Sequence, residues 1–205
     1  MNETAVKPKI EFRSPSPFLQ WVGRMLSKLM GWTIDYTLPN DPKMLIIFFP
    51  HTSNIDVVHA IPAAFAIGLK PNWLAKNELF WGPLKGFFLK LGAIPIDRHR
   101  TENKVEIITE AIQQADQIIL GLSPEGTRTK TDFWRSGFYH IANKAQIPIH
   151  FGFIDYPSKT IGAAPGFVPT GDIDADLEKI RDFYKDKRGK YPENVGPIKF
   201  RDKKD

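Results

Sequence analysis

His51 and Asp56 are separated by four residues and follow an apolar run at residues 44–49. A run this short and this apolar predicts a strand buried on both faces, and Ser53 and Asn54 can cap the helix that then carries Asp56. In open α/β sheets, ligands bind in the crevice beyond the C-terminal ends of the strands. An imidazole at such a place can bond the carboxylate through one ring nitrogen, which leaves the other nitrogen free to act as a general base.

Two more loops that carry arginine follow predicted strands. Arg98 comes after a predicted strand at residues 93–96, and Arg128 lies in the loop after a predicted strand at residues 117–122. If the sheet is parallel, these loops and the His51 loop emerge on one rim. The planar guanidinium of arginine can bind phosphate through two hydrogen bonds. A base together with two arginine-bearing loops predicts a site where a hydroxyl group attacks and where the substrate carries an anionic group.

The rest of the chain alternates predicted strands and helices, which is typical of a mostly parallel sheet with helices on its faces. The other predicted strands are residues 32–38, 73–75 and 147–154. One predicted helix follows the His51 loop and ends at about residue 68, and four more span residues 83–91, 101–115, 137–145 and 174–187. The 205 residues suffice for one well-packed domain, which we assign to residues 32–205.

Residues 18–31 are predicted to form an amphipathic helix, with Trp21 and Met25 at helical spacing beside Arg24 and Lys28. Such a helix can lie in a membrane interface, or it can pack on its own domain. The preceding residues 1–17 are polar and contain several prolines, so we expect a loosely held, flexible arm.

Composition limits the classes of function. The chain has no cysteine, which excludes disulfides, thiolate metal ligands and a cysteine nucleophile. Its net charge of +5 suits an anionic membrane surface or phosphorylated substrates. No nucleic-acid-binding module is recognisable, so we expect no nucleic acid partner. No apolar run reaches the roughly 18 residues of a membrane span, so we expect no transmembrane helix.

Four blocks of this sequence resemble the PlsC-type glycerolipid acyltransferases, the lysophosphatidic acid acyltransferases. Residues 51–56 look like the His-x4-Asp motif of that family, and residues 124–128, Pro-Glu-Gly-Thr-Arg, resemble its third block. Residues 76–80 and 92–98 resemble the second block, and residues 147–149 resemble the fourth. A His-x4-Asp pair alone often arises by chance, but four blocks in the order of the family leave coincidence below about one in twenty.

The resemblance covers roughly residues 32–155 and implies a glycerol-phosphate acyltransferase-like α/β fold. It also implies transfer of a fatty acyl group from an acyl-CoA or acyl carrier protein thioester to the hydroxyl of a lysophospholipid, chiefly 1-acyl-glycerol-3-phosphate, in phospholipid synthesis. In this reaction His51 would take the proton of the acceptor, and Asp56 would hold the tautomer and stabilise the imidazolium. No nucleophile of the enzyme is required.

The resemblance also assigns residues to substrate binding. Arg128 would be the direct contact of the acceptor phosphate, and Glu125 would position neighbouring groups rather than act as a base, because a second negative charge would repel the ligand. Backbone amides around Gly126 can supply oxyanion or phosphate donors. The residues assigned to substrate binding are Ser53, Asn54, Lys76, Arg98, Glu125, Gly126, Thr127 and Arg128.

The implied partners are the acyl thioester, the lysophospholipid and an anionic membrane surface. We expect no metal and no cofactor besides the acyl-CoA or acyl carrier protein that serves as co-substrate. The expected location is cytoplasmic, peripheral on the inner face of the membrane.

Several alternatives stay open. The same chemistry can serve another acceptor, such as a different lysolipid or an amino-acid-derived lipid, and a catalytically silent lipid-binding protein can keep the fold. His51 and Asp56 can be a satisfied histidine and a helix cap, and His59 invites a metal site for which no further ligand is evident. Ser53 and Ser123 are possible nucleophiles, but neither lies in a Gly-x-Ser-x-Gly elbow.

Overall fold

The apolar run before His51 forms β2 (Lys43–Phe49), a central strand of the sheet. Its neighbours on both sides, β5 (Ile118–Leu122) and β6 (Ile149–Asp155), run parallel to it. Strands that are covered on both faces need apolar side chains on both faces, and nearly every residue of β2 and β6 is buried. The doubly buried strand predicted at residues 44–49 is therefore confirmed.

The computed structural model describes residues 16–69, 72–76, 86, 93–96 and 104–201. Within these ranges the remaining strands are β1 (Thr33–Tyr36), β3 (Asn72–Lys76), β4 (Ala93–Ile96) and β7 (Thr160–Phe167). The helices are α1 (Pro17–Leu29), α2 (Ile55–Ala66), α3 (Lys104–Gln114), α4 (Gly137–Ala145) and α5 (Ile173–Tyr184), and a short 3-10 turn spans Pro192–Asn194. The predicted arm up to residue 15, the predicted helix at residues 83–91 apart from Gly86, and residues 101–103 of the next predicted helix lie outside the described residues.

In the part of the chain just given, the strands make one seven-stranded sheet in the order β1-β7-β6-β2-β5-β3-β4. Strands β2 to β6 are parallel to one another, and β7 is antiparallel to β6. The mostly parallel sheet that was predicted is confirmed, with β7 and its parallel partner β1 as a reversed edge.

Strand β7 was not predicted, because it contains a proline and two glycines that are typical of a loop. The structure gives the glycines a packing role. A Cβ at Gly162 would lie 1.5 Å from the backbone oxygen of Asp35 in β1, and one at Gly166 would lie 1.8 Å from that of Ile149 in β6. Glycine in a strand often marks a close approach of two backbones. Here the two glycines allow β7 to pair with β1 and β6, so they do not end the strand.

Side chains on opposite faces of β2 enter different parts of the core, as the two-residue period of a strand requires. Leu45, Ile47 and Phe49 pack with residues of α3, α4 and α5. Met44 and Ile46 belong to a cluster on the other face, where α2 also packs on the sheet through Ala63. Helices cover both faces, which confirms the predicted architecture.

Helix α1 confirms the helix predicted at residues 18–31, and it ends before Gly31, whose φ of 73° suits glycine. It packs on α2 through small residues. A Cβ at Gly23 would lie 2.5 Å from the backbone oxygen of Pro62, and Gly23 and Ser27 are the buried residues of α1. The larger apolar side chains stay exposed, with Phe18 at 68% and Leu29 at 76%. The helix therefore packs on its own domain and still presents an apolar face to the outside.

None of the helices in the described ranges combines the length and the apolar character that a membrane span requires.

Candidate active site

The C-terminal ends of the parallel strands β2 to β6 meet at one edge of the sheet, since parallel strands all point the same way. His51 lies two residues beyond β2, and the loop with Glu125 and Arg128 follows β5. Strand β4 also ends at this edge, but Arg98, two residues after it, is outside the described residues. The expectation of a common rim is confirmed for the His51 and Glu125 loops.

The imidazole of His51 is in direct contact with Asp56. Nδ1 of His51 lies 3.0 Å from Oδ2 of Asp56, and the same oxygen accepts the backbone N–H of Ser53 at 2.9 Å. The other carboxylate oxygen, Oδ1, accepts the hydroxyl hydrogen of Tyr156 at 2.5 Å. The Asp56 side chain is buried, whereas 16% of the His51 side chain is exposed. The imidazole is thus the member of the pair that a substrate can reach.

The hydrogen bonds to Asp56 keep it ionised. Burial alone would raise the pKa of this carboxyl group, but hydrogen bonds from His51, Tyr156 and Ser53 outweigh burial and hold the pKa below its usual value. An ionised carboxylate can only accept hydrogen bonds, so Nδ1 of His51 must carry the proton that lies between the two groups. In the neutral imidazole this tautomer leaves Nε2 unprotonated, which is the state that a general base needs.

Glu125 holds the backbone of the same histidine. Its Oε2 accepts the N–H of His51 at 3.1 Å, and the residue is 3% exposed. Burial raises the pKa of Glu125 to about 7, against the lowering effect of that hydrogen bond. A carboxyl group that is occupied by a backbone amide fits a positioning role better than the role of a second base.

The raised pKa of Glu125 makes a prediction about stability. Between its unfolded pKa near 4.5 and its folded pKa near 7, the folded protein binds more protons than the unfolded chain, so the free energy of unfolding falls as the pH rises through this window. Glu125→Gln keeps an acceptor for His51 and loses the titration. We therefore expect the free energy of unfolding of the variant, relative to that of the wild type, to rise by about 2–3 kcal/mol from pH 5 to pH 8. Denaturant unfolding at both pH values measures this difference.

Glu106→Gln is the control for this prediction. Glu106 is exposed, and its hydrogen bond to Lys144 at 3.0 Å holds its pKa below the usual value. Its carboxyl group is therefore ionised in both the folded and the unfolded chain over most of the range from pH 5 to pH 8, so the difference in free energy of unfolding between Glu106→Gln and the wild type should stay nearly constant. A Glu125→Gln curve parallel to that of the wild type at both pH values would show that the carboxyl group does not titrate in this window.

The loop after Glu125 turns at Gly126, where φ is 64° and a Cβ would lie 2.6 Å from Nε of Arg135. The N–H of Gly126 donates to the backbone oxygen of Ser123 at 3.2 Å, so this amide is engaged in the turn. The role expected for the backbone amides around it stays a prediction. Thr127 pairs its hydroxyl with that of Thr129 at 3.0 Å. Arg128 is exposed on the loop.

Of the two residues expected to cap α2, one does so. Oγ of Ser53 accepts the N–H of Ile55 at 3.3 Å, at the start of the helix. The side chain of Asn54 makes no capping hydrogen bond. The reason is its backbone, which is already helical (φ −63°, ψ −27°) instead of extended as at a typical N-cap. The prediction for Asn54 was therefore wrong, and Asp56 completes the turn by accepting the N–H of Ser53.

Two of the predicted substrate-binding residues cannot be placed beside the pair. Lys76 is the last residue of β3, where the backbone is described, and Arg98 lies outside the described residues. Their roles remain as the resemblance implies them.

His59 and His150 contact neighbouring side chains and backbone outside the His51–Asp56 pair. The ring of His59 lies 4.7 Å from that of Trp32, and burial lowers its pKa. His150 bonds Asp41 at 3.0 Å and accepts the N–H of Gly166. Across the described ranges, no three histidine, aspartate or glutamate residues are grouped so that they could hold a metal ion.

Residues from far along the chain also hold the His51 loop, and they were not predicted from the sequence. Tyr156 follows β6 directly, and its N–H donates to the backbone oxygen of Arg188 at 3.0 Å. The segment beyond Arg188 covers the loop from outside, where Tyr191 N–H donates to Thr52 Oγ1 at 3.1 Å. Tyr156 lies two residues beyond the strand predicted at residues 147–154, but neither that position nor anything in the later segment signals a contact with the His51 loop.

Comparison with known proteins identifies a family to which this sequence is similar and a solved structure with a similar fold. A family model described as Acyltransferase matches residues 33–150, more than half of the chain. No curated protein matches the chain. The crystal structure of PlsC, the 1-acyl-sn-glycerophosphate (LPA) acyltransferase from Thermotoga maritima, is similar with a TM-score of 0.56 and 15% identity, and the match covers 81% of this chain and 74% of that chain. At this identity the likeness shows the fold alone.

Proposed function

The chain belongs to the acyltransferase family, and we propose that it moves a fatty acyl group from an acyl-CoA or acyl carrier protein thioester to the hydroxyl of a lysophospholipid, 1-acyl-glycerol-3-phosphate first among them. The observation that carries the proposal is the 3.0 Å contact between His51 Nδ1 and a buried, ionised Asp56 at the C-terminal edge of the sheet. The pair is the arrangement that activates an alcohol for attack on an acyl group.

In the proposed reaction, the acceptor hydroxyl oxygen attacks the thioester carbonyl carbon while His51 Nε2 takes the hydroxyl proton. The new C–O bond gives a tetrahedral intermediate, and its collapse breaks the C–S bond. The departing sulfur takes the proton back from the imidazolium, so that the products are an ester and a free thiol. Asp56 stabilises the imidazolium between the two proton transfers.

We assign phosphate recognition first to Arg128. Arg128 is exposed on the loop that begins with Glu125, whose carboxyl group touches the His51 backbone. A guanidinium three residues after the glutamate that binds the His51 backbone can hold the anionic end of an acceptor while the hydroxyl reaches Nε2. Arg98 and Lys76 are the further cations that the resemblance implies.

The deciding experiment incubates the protein with acyl-CoA or acyl carrier protein thioester and a panel of lysolipids, and identifies the products by mass spectrometry. We expect acceptor-dependent release of thiol and a diacyl product, with phosphate-bearing acceptors preferred in the wild type and less preferred in Arg128→Ala. Esterification of an amino-acid-derived lipid instead would change the acceptor. No product with any acceptor or donor would reduce the chain to a lipid-binding protein.

We also propose that the paired helices α1 and α2 dock on a lipid surface. They present neighbouring exposed apolar side chains, and α2 starts at the catalytic loop, so the surface continues to the site. Lys28 lies on the exposed side of α1, and the net charge of +5 complements anionic lipid. An apolar helix face beside basic residues is typical of binding in a membrane interface. The exposed apolar residues are Phe18, Trp21, Met25, Leu26, Leu29, Ile55, Val57, Val58 and Ile61.

Replacement of Trp21 and Leu29 by serine is expected to weaken binding to phosphatidylglycerol-containing vesicles about tenfold or more, because it removes apolar area that the interface would bury. Sedimentation with vesicles measures the effect. The matched control is Ile107→Ser, which removes a side chain that is 60% exposed on α3, away from this face. Equal binding of both variants and the wild type would show that α1 does not contact lipid.

A further inference from the structure

Tyr156 touches the catalytic pair but has no part in the reaction just described. Its hydroxyl donates to Oδ1 of Asp56 at 2.5 Å, and the opposite oxygen of the same carboxylate faces His51 at 3.0 Å. Tyr156 lies beyond residue 150, where the family match ends. The two hydrogen bonds hold the carboxylate from both sides, so Asp56 has one orientation available.

The tyrosine ring is fixed on several sides. It meets the ring of Trp32 edge-on at 5.0 Å and that of His59 at 6.3 Å. Its backbone N–H is bonded to Arg188, and its backbone oxygen accepts the N–H of Lys159 in the turn between β6 and β7. A hydroxyl on so constrained a ring can act as a fixed point for a neighbouring group.

We propose that Tyr156 is a positioning residue for acyl transfer, whose hydroxyl holds Oδ1 of Asp56 so that Oδ2 stays directed at Nδ1 of His51. The inference rests on the proposed function for its effect on turnover. Tyr156 acts through Asp56 and does not touch the reacting atoms.

The physical reason is the freedom of a carboxylate. The last torsion of an aspartate side chain has broad minima, and Ser53 N–H alone binds only the oxygen that also serves His51. Without Tyr156, Oδ1 would be buried and unsatisfied, and the carboxylate would turn to find a donor. Burial and the nearby Asp56 both raise the pKa of Tyr156, so its hydroxyl stays protonated and able to donate.

The test is Tyr156→Phe, with Tyr139→Phe as its matched control. Tyr139 also donates its hydroxyl to a buried aspartate, Asp176 at 2.9 Å, but between α4 and α5 and away from the site. We expect kcat to fall about tenfold in Tyr156→Phe, with the KM of each substrate within about twofold, and to stay at the wild-type value in Tyr139→Phe. Wild-type kcat in Tyr156→Phe, or an equal fall in both variants, would overturn the proposal.

A double-mutant cycle separates positioning from general support of the fold. If Tyr156 acts through Asp56, Tyr156→Phe should have almost no further effect on kcat once Asp56 is replaced by alanine. The same tenfold fall in both backgrounds would assign Tyr156 a structural role and overturn the proposal.

A second readout does not need turnover and keeps the test valid if the proposed function fails. The His51 Nδ1 proton in its hydrogen bond to a carboxylate gives a downfield NMR resonance when it is held in place. We expect this resonance in the wild type and in Tyr139→Phe, and its loss or broadening in Tyr156→Phe. An unchanged resonance in Tyr156→Phe would refute positioning, whereas absence of acyl transfer by the wild type would refute the proposed function alone.

Discussion

Replacing His51 by alanine lowers kcat for acyl transfer by about 10²–10⁴-fold in our account, because the variant loses the imidazole that takes the proton of the acceptor. The domain should stay folded. The His51 side chain is partly exposed, and its loss leaves Asp56 with the hydrogen bonds from Ser53 and Tyr156. Thiol release from acyl-CoA in the presence of lysolipid measures kcat, and thermal unfolding checks the fold.

The control for this variant is His140→Ala, which removes an exposed histidine of α4. It should turn over like the wild type. Near-normal turnover by His51→Ala would remove His51 from the mechanism, and equal losses in the two variants would point to a general effect on the protein.

Asp56→Asn should be nearly as severe, with a fall in kcat of about 10²–10⁴-fold. An amide has only one oxygen, whereas Asp56 uses both of its oxygens to accept three hydrogen bonds. The amide nitrogen would have to face one of these donors, and where it faces Nδ1 it favours the wrong histidine tautomer. Binding of the acyl donor should change little, and isothermal calorimetry with a non-reactive acyl-CoA analogue measures it.

Asp176→Asn separates catalysis from stability. Asp176 is also fully buried and accepts hydrogen bonds from Tyr139 and Thr170, so its replacement should lower the unfolding temperature to a similar degree. It should leave kcat unchanged. A fully active Asp56→Asn enzyme would mean that Asp56 is only a helix cap.

The parts of the fold that sequence predicted correctly are those with a strong local pattern. The six consecutive apolar residues of β2 are too few for a typical buried helix and favour a buried strand, and Gly31 stops α1 where expected. Strand β7 was missed, because its glycines are required by the close approach of the backbones of β1 and β6, and this packing is not visible in the local sequence. The packing of α1 through Gly23 was invisible for the same reason.

The residues of the candidate site also fall into those that a local pattern predicted and those that it did not. His51, Asp56 and Glu125 were found because each belongs to a short motif after a predicted strand, and the structure brings all three together. The residue that completes the hydrogen bonding of Asp56 is Tyr156, 100 positions further along the chain. A contact between residues so far apart depends on the register of the whole sheet, and no local pattern encodes it.

The chain after residue 150 shapes the site although it lies beyond the family match. It supplies Tyr156 to the carboxylate, and Tyr191 binds Thr52 in the loop between His51 and the helix. At Gly189 a Cβ would lie 2.8 Å from Thr52 Oγ1, so the segment lies directly against that loop. The loop is therefore held from β5 by Glu125 on one side and by the C-terminal segment on the other.

The measurement that tests the central claim most directly is a rapid-mixing burst experiment with the acceptor left out. In the proposed mechanism the acceptor hydroxyl attacks the thioester itself, with His51 as base and no acyl-enzyme. Mixing the enzyme with excess acyl-CoA alone should then release no stoichiometric amount of thiol, and adding 1-acyl-glycerol-3-phosphate should release thiol and form ester in equal amounts. A rapid, stoichiometric release of thiol without acceptor would contradict the account, because it would require a covalent acyl-enzyme on a side chain such as Ser53 or Ser123.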